Sequence, residues 1–192
     1  MKNNKNKKTK LEALPKIRRR LLKLWSEAIR ERDGYMCCYC GVKHMSVNPL
    51  NPSSKVKCDS HHLLQKEIKD CPLKYEIKNS ALLCSSHHKW NGEFSAHKSP
   101  IVFYDWFRKQ YAERYNFVLE NSLVRIDLDN RAVLAEIEQR LIAKESLDLN
   151  KLKQIEKDNP KEIKPIKEPK SSTTFSGNIF DSMDESSSSS SD

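Results

Sequence analysis

No stretch of this sequence is apolar enough to cross a membrane or to direct secretion. Its uncharged apolar stretches are all far shorter than the roughly 20 residues that a membrane-spanning helix needs, and the N-terminal segment lacks the apolar core of a signal peptide. We therefore expect a cytoplasmic protein without membrane contact. Apolar residues are also few, at 37% of the 192 residues against 32% charged residues. That composition can fill one modest core and leaves little for a second.

Positive charge is concentrated at the start of the chain. Residues 1–32 hold twelve Lys and Arg against three Glu, and this excess equals the net charge of +9 of the whole chain. Basic clusters favour phosphate contacts, because binding releases counterions. A solubilising arm has the same composition, so charge alone leaves both interpretations open. The candidate nucleic-acid contacts are Arg18, Arg19, Arg20, Lys23, Arg30, Lys66 and Lys69.

Three segments show helical periodicity. The first runs from about Pro15 to Arg32 and carries its apolar stripe on Ile17, Leu21, Leu24 and Ala28. The second begins at Pro100 and has an aromatic stripe typical of a core-facing helix. The third spans residues 129–146. Between the first two we predict strands within residues 56–64 and 81–83, followed by a short helix over residues 85–91.

Composition sets the expected domain limits. Residues 1–14 should be a disordered basic arm, and residues 15–146 should form the single folded domain. From residue 147 to residue 192 the chain becomes charged and then acidic and Ser-rich, which is typical of a disordered tail. The acidic end could dock on a protein partner or serve solubility alone.

The cysteines are spaced as metal ligands. In a reducing compartment, six cysteines with three of them within residues 37–40 indicate metal ligation more than disulfides. The pairs Cys37-x2-Cys40 and Cys84-x2-His87 each offer two ligands on a tight turn, and together they can close a tetrahedral Cys3His zinc site. A structural zinc contributes folding free energy directly, which suits a small apolar core.

Three further histidines, His61, His62 and His88, exceed what such a zinc site requires. Adjacent strand residues point to opposite faces, so one ion would bind His61 or His62 and leave the other for proton transfer. On a helix, His87 shares a face with Cys84 at i and i+3, while His88 points elsewhere. Cys84 could also share a face with His88 at i+4, so the division between His87 and His88 stays open.

These positions resemble those of the HNH (His-Me finger) endonucleases. The similarity covers roughly residues 15–110. Besides the helix before the cysteines, the residues that carry it are Arg32-Asp33-Gly34-Tyr35, Cys37-x2-Cys40-Gly41, His61-His62, Asn79 and Cys84-x2-His87-His88. The resemblance implies an α+β fold in which a small zinc-stabilised ββα-metal core is flanked by helices, with disordered termini.

The resemblance also implies roles for individual residues. His62 would be the general base, and Asn79 would brace the loop that bears it. His61 and His88 would bind a catalytic Mg²⁺ or Mn²⁺, while the three cysteines and His87 would hold the structural Zn²⁺. In many relatives His87 is replaced by Cys and His61 by Asp, and these departures bear on metal preference.

The implied function is metal-dependent hydrolysis of DNA phosphodiester bonds. The basic first helix and residues 94–100 are further similar to phage recombination nucleases of the NinG (Rap) type, which are associated with branched DNA. This second likeness implies DNA as the partner inside a host cell, and junction cleavage would favour a homodimer with two active sites. The alternative is a non-catalytic zinc-stabilised nucleic-acid-binding module whose surplus histidines are structural.

Overall fold

Short antiparallel hairpins and longer helices follow one another along the chain. In this computed structural model the described residues are 11–48, 50–64 and 67–160, and they form α-helices, two two-stranded antiparallel sheets, a 3₁₀ helix and a π-helix. This mixture agrees with the expected α+β class. None of the described helices is long and apolar enough to cross a membrane. The elements in chain order are α1 (Leu14–Arg32), β1 (Val47–Asn48), β2 (Asn51–Lys55), β3 (Cys58–His62), the 3₁₀ helix (Pro72–Tyr75), β4 (Ser80–Cys84), the π-helix (Ser86–Trp90), α2 (Pro100–Gln110), α3 (Ala112–Asn121), α4 (Arg131–Ala143) and α5 (Leu149–Asp158).

Helix α1 begins and ends within one residue of its predicted limits. Its buried face includes Ile17, Leu21 and Trp25, and the helix packs on β3, β4 and α4. Trp25, rather than the predicted Leu24, continues this face, because the stripe advances by four residues at each step; Leu24 is only partly buried. Beyond the helix, Gly34 has a φ of +62°, a left-handed conformation that suits glycine and turns the chain toward the cysteines.

The hairpin of β3 and β4 carries most of the candidate site. Its antiparallel register pairs Cys58 with Cys84 and His61 with Ala81. Strand β4 is buried along its whole length, as expected for the apolar run Ala81–Leu83. The chain passes from β4 almost directly into the π-helix, so the predicted order of strand, strand and short helix is observed.

Helix α2 covers the histidine-bearing end of this hairpin. Phe103 and Phe107 are fully buried, and Trp106 and Tyr111 are partly buried against the same core. The ring of Phe103 lies edge-on to that of His61, with centroids 5.3 Å apart. The aromatic stripe therefore belongs to the core, as predicted.

The predicted C-terminal limit of the domain, residue 146, is wrong. Helix α5 follows it, and Leu147, Leu149 and Leu152 are buried where α5 packs on α4. Asp148 caps α5 by accepting hydrogen bonds from the backbone N–H groups of its first turn. Leucines three residues apart give this charged segment an apolar face, which its overall composition conceals. Residues 1–10 of the predicted basic arm and residues 161–192 of the predicted tail lie outside the described residues.

The carboxylate of Glu76 is fully buried and joins two distant segments. It accepts hydrogen bonds from the backbone N–H of Lys78 at 2.8 Å and of Leu147 at 2.7 Å. Substituting Glu76→Ala leaves the buried N–H of Leu147 and the partly buried N–H of Lys78 without this acceptor. Burial also raises the pKa of Glu76, so the substitution relieves some unfavourable charge at neutral pH.

We expect Glu76→Ala to lower the free energy of unfolding, measured by urea denaturation, by about 2 kcal/mol. The matched control is Glu120→Ala, which removes an exposed carboxylate on α3 and should change stability by less than about 0.5 kcal/mol. Equal effects of the two substitutions would contradict this account of Glu76.

Candidate metal centres

Cys37, Cys40, Cys84 and His87 converge as the spacing of the two half-sites predicted. One ligand atom from each lies within 4.8 Å of all the others. Nδ1 of His87 is 3.2 Å from Sγ of Cys84 and 3.8 Å from Sγ of Cys37, and the sulfurs of Cys40 and Cys84 are 4.0 Å apart. A tetrahedral zinc site with sulfur ligands near 2.3 Å has edges of about 3.8 Å. The Cys3His group therefore has the donor set and the spacing to hold a metal ion such as zinc.

Local backbone geometry builds each half of this group. Gly41 has a φ of +70°, and its N–H donates to the carbonyl of Cys37, which closes the turn that holds the first two cysteines. In the second half, Cys84 ends β4, and His87 follows three residues later in the π-helix. Each pair of ligands is therefore placed by short-range structure.

The charges of the clustered thiols are coupled. A hydrogen bond from Cys84 lowers the pKa of Cys37, and the same interaction raises the pKa of Cys84. Burial raises the pKa of Cys40. Without a metal ion, Cys37 is therefore favoured as the thiolate, while Cys40 and Cys84 are favoured as protonated thiols. A bound divalent cation would stabilise all three as thiolates.

His61, His88 and His97 form a second group, again with ligand atoms within 4.8 Å of one another. The Nε2 atoms of His88 and His97 are 3.2 Å apart, and the ring centroid of His61 is 5.2 Å from that of His88. His61 is only 8% exposed, and its Nε2 is a buried atom without a hydrogen-bond partner among the described residues. An unpartnered buried nitrogen beside two other imidazoles fits a metal ligand.

Burial favours the neutral form of His61 and His88. It lowers the pKa of His61 to about 3, with a further contribution from the neighbouring imidazoles. Burial also lowers the pKa of His88, and repulsion from His97 acts in the same direction. A neutral imidazole keeps the lone pair that a metal ligand must donate. The electrostatics of the pocket therefore favour the metal-binding form.

His97 was not predicted as a ligand. It reaches the group because residues 96 and 97 fold back on the π-helix, where the N–H of Ala96 donates to the carbonyl of His87 and the N–H of His97 to that of His88. This contact joins residues nine positions apart across an irregular loop, and no periodic pattern in the sequence predicts it. A count of the six histidines could have pointed to His97, because only His44 and His97 had no predicted role in a site.

His62 lies on the other side of β3 from His61. Its ring stacks on Trp25 with centroids 3.9 Å apart and an angle of 10° between planes, and its Nε2 is 3.0 Å from the carbonyl oxygen of Lys74. If Nε2–H donates to that carbonyl, Nδ1 carries the lone pair. Both His61 and His62 line a cavity of about 620 Å³, together with His88 and His97.

Asn79 is buried, and its side chain connects the backbone at Leu64 with the backbone at Leu73. Its Oδ1 accepts from the N–H of Leu64 at 2.7 Å, and its Nδ2 donates to the carbonyls of Leu64 and Leu73. The Asn79 carbonyl also accepts from the N–H of Leu63. These bonds fix the segment that immediately follows His62.

Asp59 shares the face of β3 that carries His61. Its Oδ2 lies 3.7 Å from Nδ1 of His88, whereas Nε2 of His88 faces His97. At this distance Nδ1 of His88 makes no hydrogen bond among the described residues. A carboxylate that accepts a hydrogen bond from the second nitrogen of a ligating histidine fixes its tautomer and ring orientation, and Asp59 is placed to do so after a small shift. Asp59 was not singled out from the sequence, because its distance from His88 along the chain hides the contact.

We expect Asp59→Asn to weaken metal binding at the three-histidine group about 10- to 100-fold. The measurement is calorimetric titration of the zinc-loaded protein with Co²⁺ or Mn²⁺. Asp105→Asn is the charge-matched control, because Asp105 pairs with Arg108 and Lys109 on its own exposed helix face. Equal affinities of the two variants would remove Asp59 from this role.

The predicted nucleic-acid contacts fall into two groups. Arg19, Lys23 and Lys69 are exposed, while Lys66 lies outside the described residues. The others are engaged within the protein: Arg18 with Asp129 and the Leu128 carbonyl, Arg20 with Glu12 and Glu138, and Arg30 with Glu27. Part of the charge of α1 is therefore compensated by acids that lie far away in the sequence.

Comparison with protein-family models, curated proteins and solved structures found no match for this chain. Function is therefore indicated by the geometry of the two groups that could hold a metal ion and of the cavity between β3, the π-helix and α2.

Proposed function

We propose that the protein is a metal-dependent endonuclease of the HNH (His-Me finger) type that hydrolyses DNA phosphodiester bonds. The observation that carries the proposal is the convergence of His61, His88 and His97 in one cavity that His62 also lines. The Cys3His group could already hold a structural metal ion such as zinc. A protein that needed zinc only for stability would not require a second group of imidazoles in which His61 and His88 are buried and Nε2 of His61 is unpartnered.

The three imidazoles also indicate the kind of ion that the site would hold. Mg²⁺ prefers oxygen ligands and an octahedral shell, whereas imidazole suits transition metals. An all-nitrogen set therefore favours Mn²⁺, Co²⁺, Ni²⁺ or Zn²⁺ over the Mg²⁺ considered from the sequence. When bound, such an ion would stabilise the phosphoryl oxygens and the leaving alkoxide.

The residues of the chain itself would move the proton and hold the geometry. His62 would accept a proton from the attacking water through its unprotonated nitrogen. The stacked ring of Trp25 and the carbonyl of Lys74 hold the His62 ring in place. Asn79 would keep the following backbone in position, and Asp59 would orient His88. By family resemblance the products would carry 5′-phosphate and 3′-hydroxyl ends.

Cleavage assays test the proposal directly. Protein purified with one zinc per chain is mixed with supercoiled, linear, flap and four-way DNA, each with a panel of divalent ions. We expect cutting that depends on a transition metal and that His61→Ala abolishes while zinc content and fold are retained. A folded, zinc-loaded protein that binds DNA but cuts none of these substrates with any ion would instead be the non-catalytic binding module.

A further inference from the structure

Trp90 is an exposed tryptophan beside the histidine cavity. It is 67% exposed, whereas the chain's other tryptophans, Trp25 and Trp106, are buried or partly buried. Trp90 ends the π-helix that carries His88, and its neighbour Lys89 lines the cavity. A single exposed apolar side chain is common on protein surfaces, so a binding role for Trp90 depends on the groups around it.

The ring lies within a defined loop. The N–H of Asn91 donates to the carbonyl of Ser86, and Oδ1 of Asn91 accepts from the N–H groups of Glu93 and Phe94. Nζ of Lys98 lies 5.9 Å from the centroid of the Trp90 ring. We call Lys89, Trp90 and Lys98 the rim platform. Its three side chains extend from the same backbone that positions His88 and His97.

The chemistry of the rim platform fits a nucleotide whose base is not paired. An exposed aromatic face can stack on a base of any sequence, and flanking ammonium groups can contact its phosphates. A paired duplex keeps its base faces stacked inside and offers the platform only its backbone. Between Ser86 and Ser99 two lysines accompany one acid, Glu93, so the local charge also favours a polyanion.

We infer that the rim platform binds an unpaired nucleotide by stacking on Trp90. This inference deepens the proposed function, because an unpaired base beside the cavity would direct the nuclease to single-stranded or locally open DNA. Stacking itself requires no cleavage. The binding step can therefore be tested apart from the chemistry.

The test compares the affinity of the full chain, loaded with structural zinc alone, for a labelled oligothymidylate and for duplex DNA by fluorescence anisotropy. Trp90→Ala should weaken single-strand binding roughly 5- to 100-fold, while duplex binding changes less than about twofold. Trp90→Phe should restore part of the affinity, because it keeps an aromatic face. The control is Leu123→Ala, which removes an apolar side chain 84% exposed outside the loop.

Oligonucleotides with single abasic positions separate stacking from general contact. One abasic position should reduce binding of the wild type and leave binding of Trp90→Ala unchanged. Equal losses by Trp90→Ala on single and double strands would overturn the inference, as would a change in self-association seen by sedimentation with no change in affinity for DNA. Trp90-dependent binding without cleavage would contradict only the nuclease; cleavage with Trp90-independent binding would contradict only the platform.

Discussion

Replacing Cys84 by serine is expected to abolish the cooperative unfolding transition of the protein. Structural zinc in small domains contributes about 10 kcal/mol or more of folding free energy, and whole domains are stable by roughly 5–15 kcal/mol. Cys84 is the last residue of β4, and its thiol meets ligands from the turn that follows α1. Loss of this ligand therefore disconnects the hairpin from the N-terminal half of the domain.

Thermal unfolding followed by circular dichroism, together with zinc content by elemental analysis, measures this effect. We expect one tightly held zinc in the wild type and neither zinc nor a sharp transition in Cys84→Ser. Cys71→Ser makes the same chemical change at a buried thiol outside the cluster, and should retain zinc while losing only about 1–3 kcal/mol. A zinc-free wild type that unfolds like Cys84→Ser would contradict a structural metal.

Replacing His62 should have the largest effect on catalysis that leaves the fold intact. We expect His62→Ala to lower the single-turnover rate of DNA cleavage by about 10²–10⁴-fold, the usual contribution of a general base. The reason is geometric: His62 lines the cavity but points away from the three clustered imidazoles, toward Trp25 and the Lys74 carbonyl. Metal affinity should therefore change little.

Two comparison variants make this result interpretable. His62→Phe keeps a ring over Trp25 but removes both nitrogens, so it should be as inactive as His62→Ala even if the latter loses stability. His88→Ala should lose both metal binding and cleavage, since His88 belongs to the clustered group. Undiminished cleavage by His62→Phe would exclude His62 as the base, and lost metal affinity in that variant would make it a ligand instead.

Short-range patterns predicted much of the architecture and one complete metal group. The limits of α1, the order from β3 to the π-helix and the Cys3His ligands all follow from residues within a few positions of one another. To predict that the two distant half-sites converge, it was enough to assume that two pairs of ligands bind one tetrahedral metal ion. His97 and Asp59 were missed because each depends on a tertiary contact that leaves no periodic trace in the sequence. Helix α5 was missed for a different reason, since the charged composition of its segment concealed the periodic leucines of its apolar face.

The adjacency of His87 and His88 has a thermodynamic consequence. One peptide bond joins His87, a member of the Cys3His group, to His88, a member of the three-histidine group. The direction in which one imidazole ring points therefore restricts the backbone conformation available to the other residue. If zinc in the first group orients His88, the two sites are coupled, and linkage requires the coupling to be reciprocal. If zinc at the Cys3His group favours binding of an ion by His61, His88 and His97, that ion must in turn favour zinc binding by the same free energy. The affinity of each site for its metal ion would then depend on whether the other site is occupied.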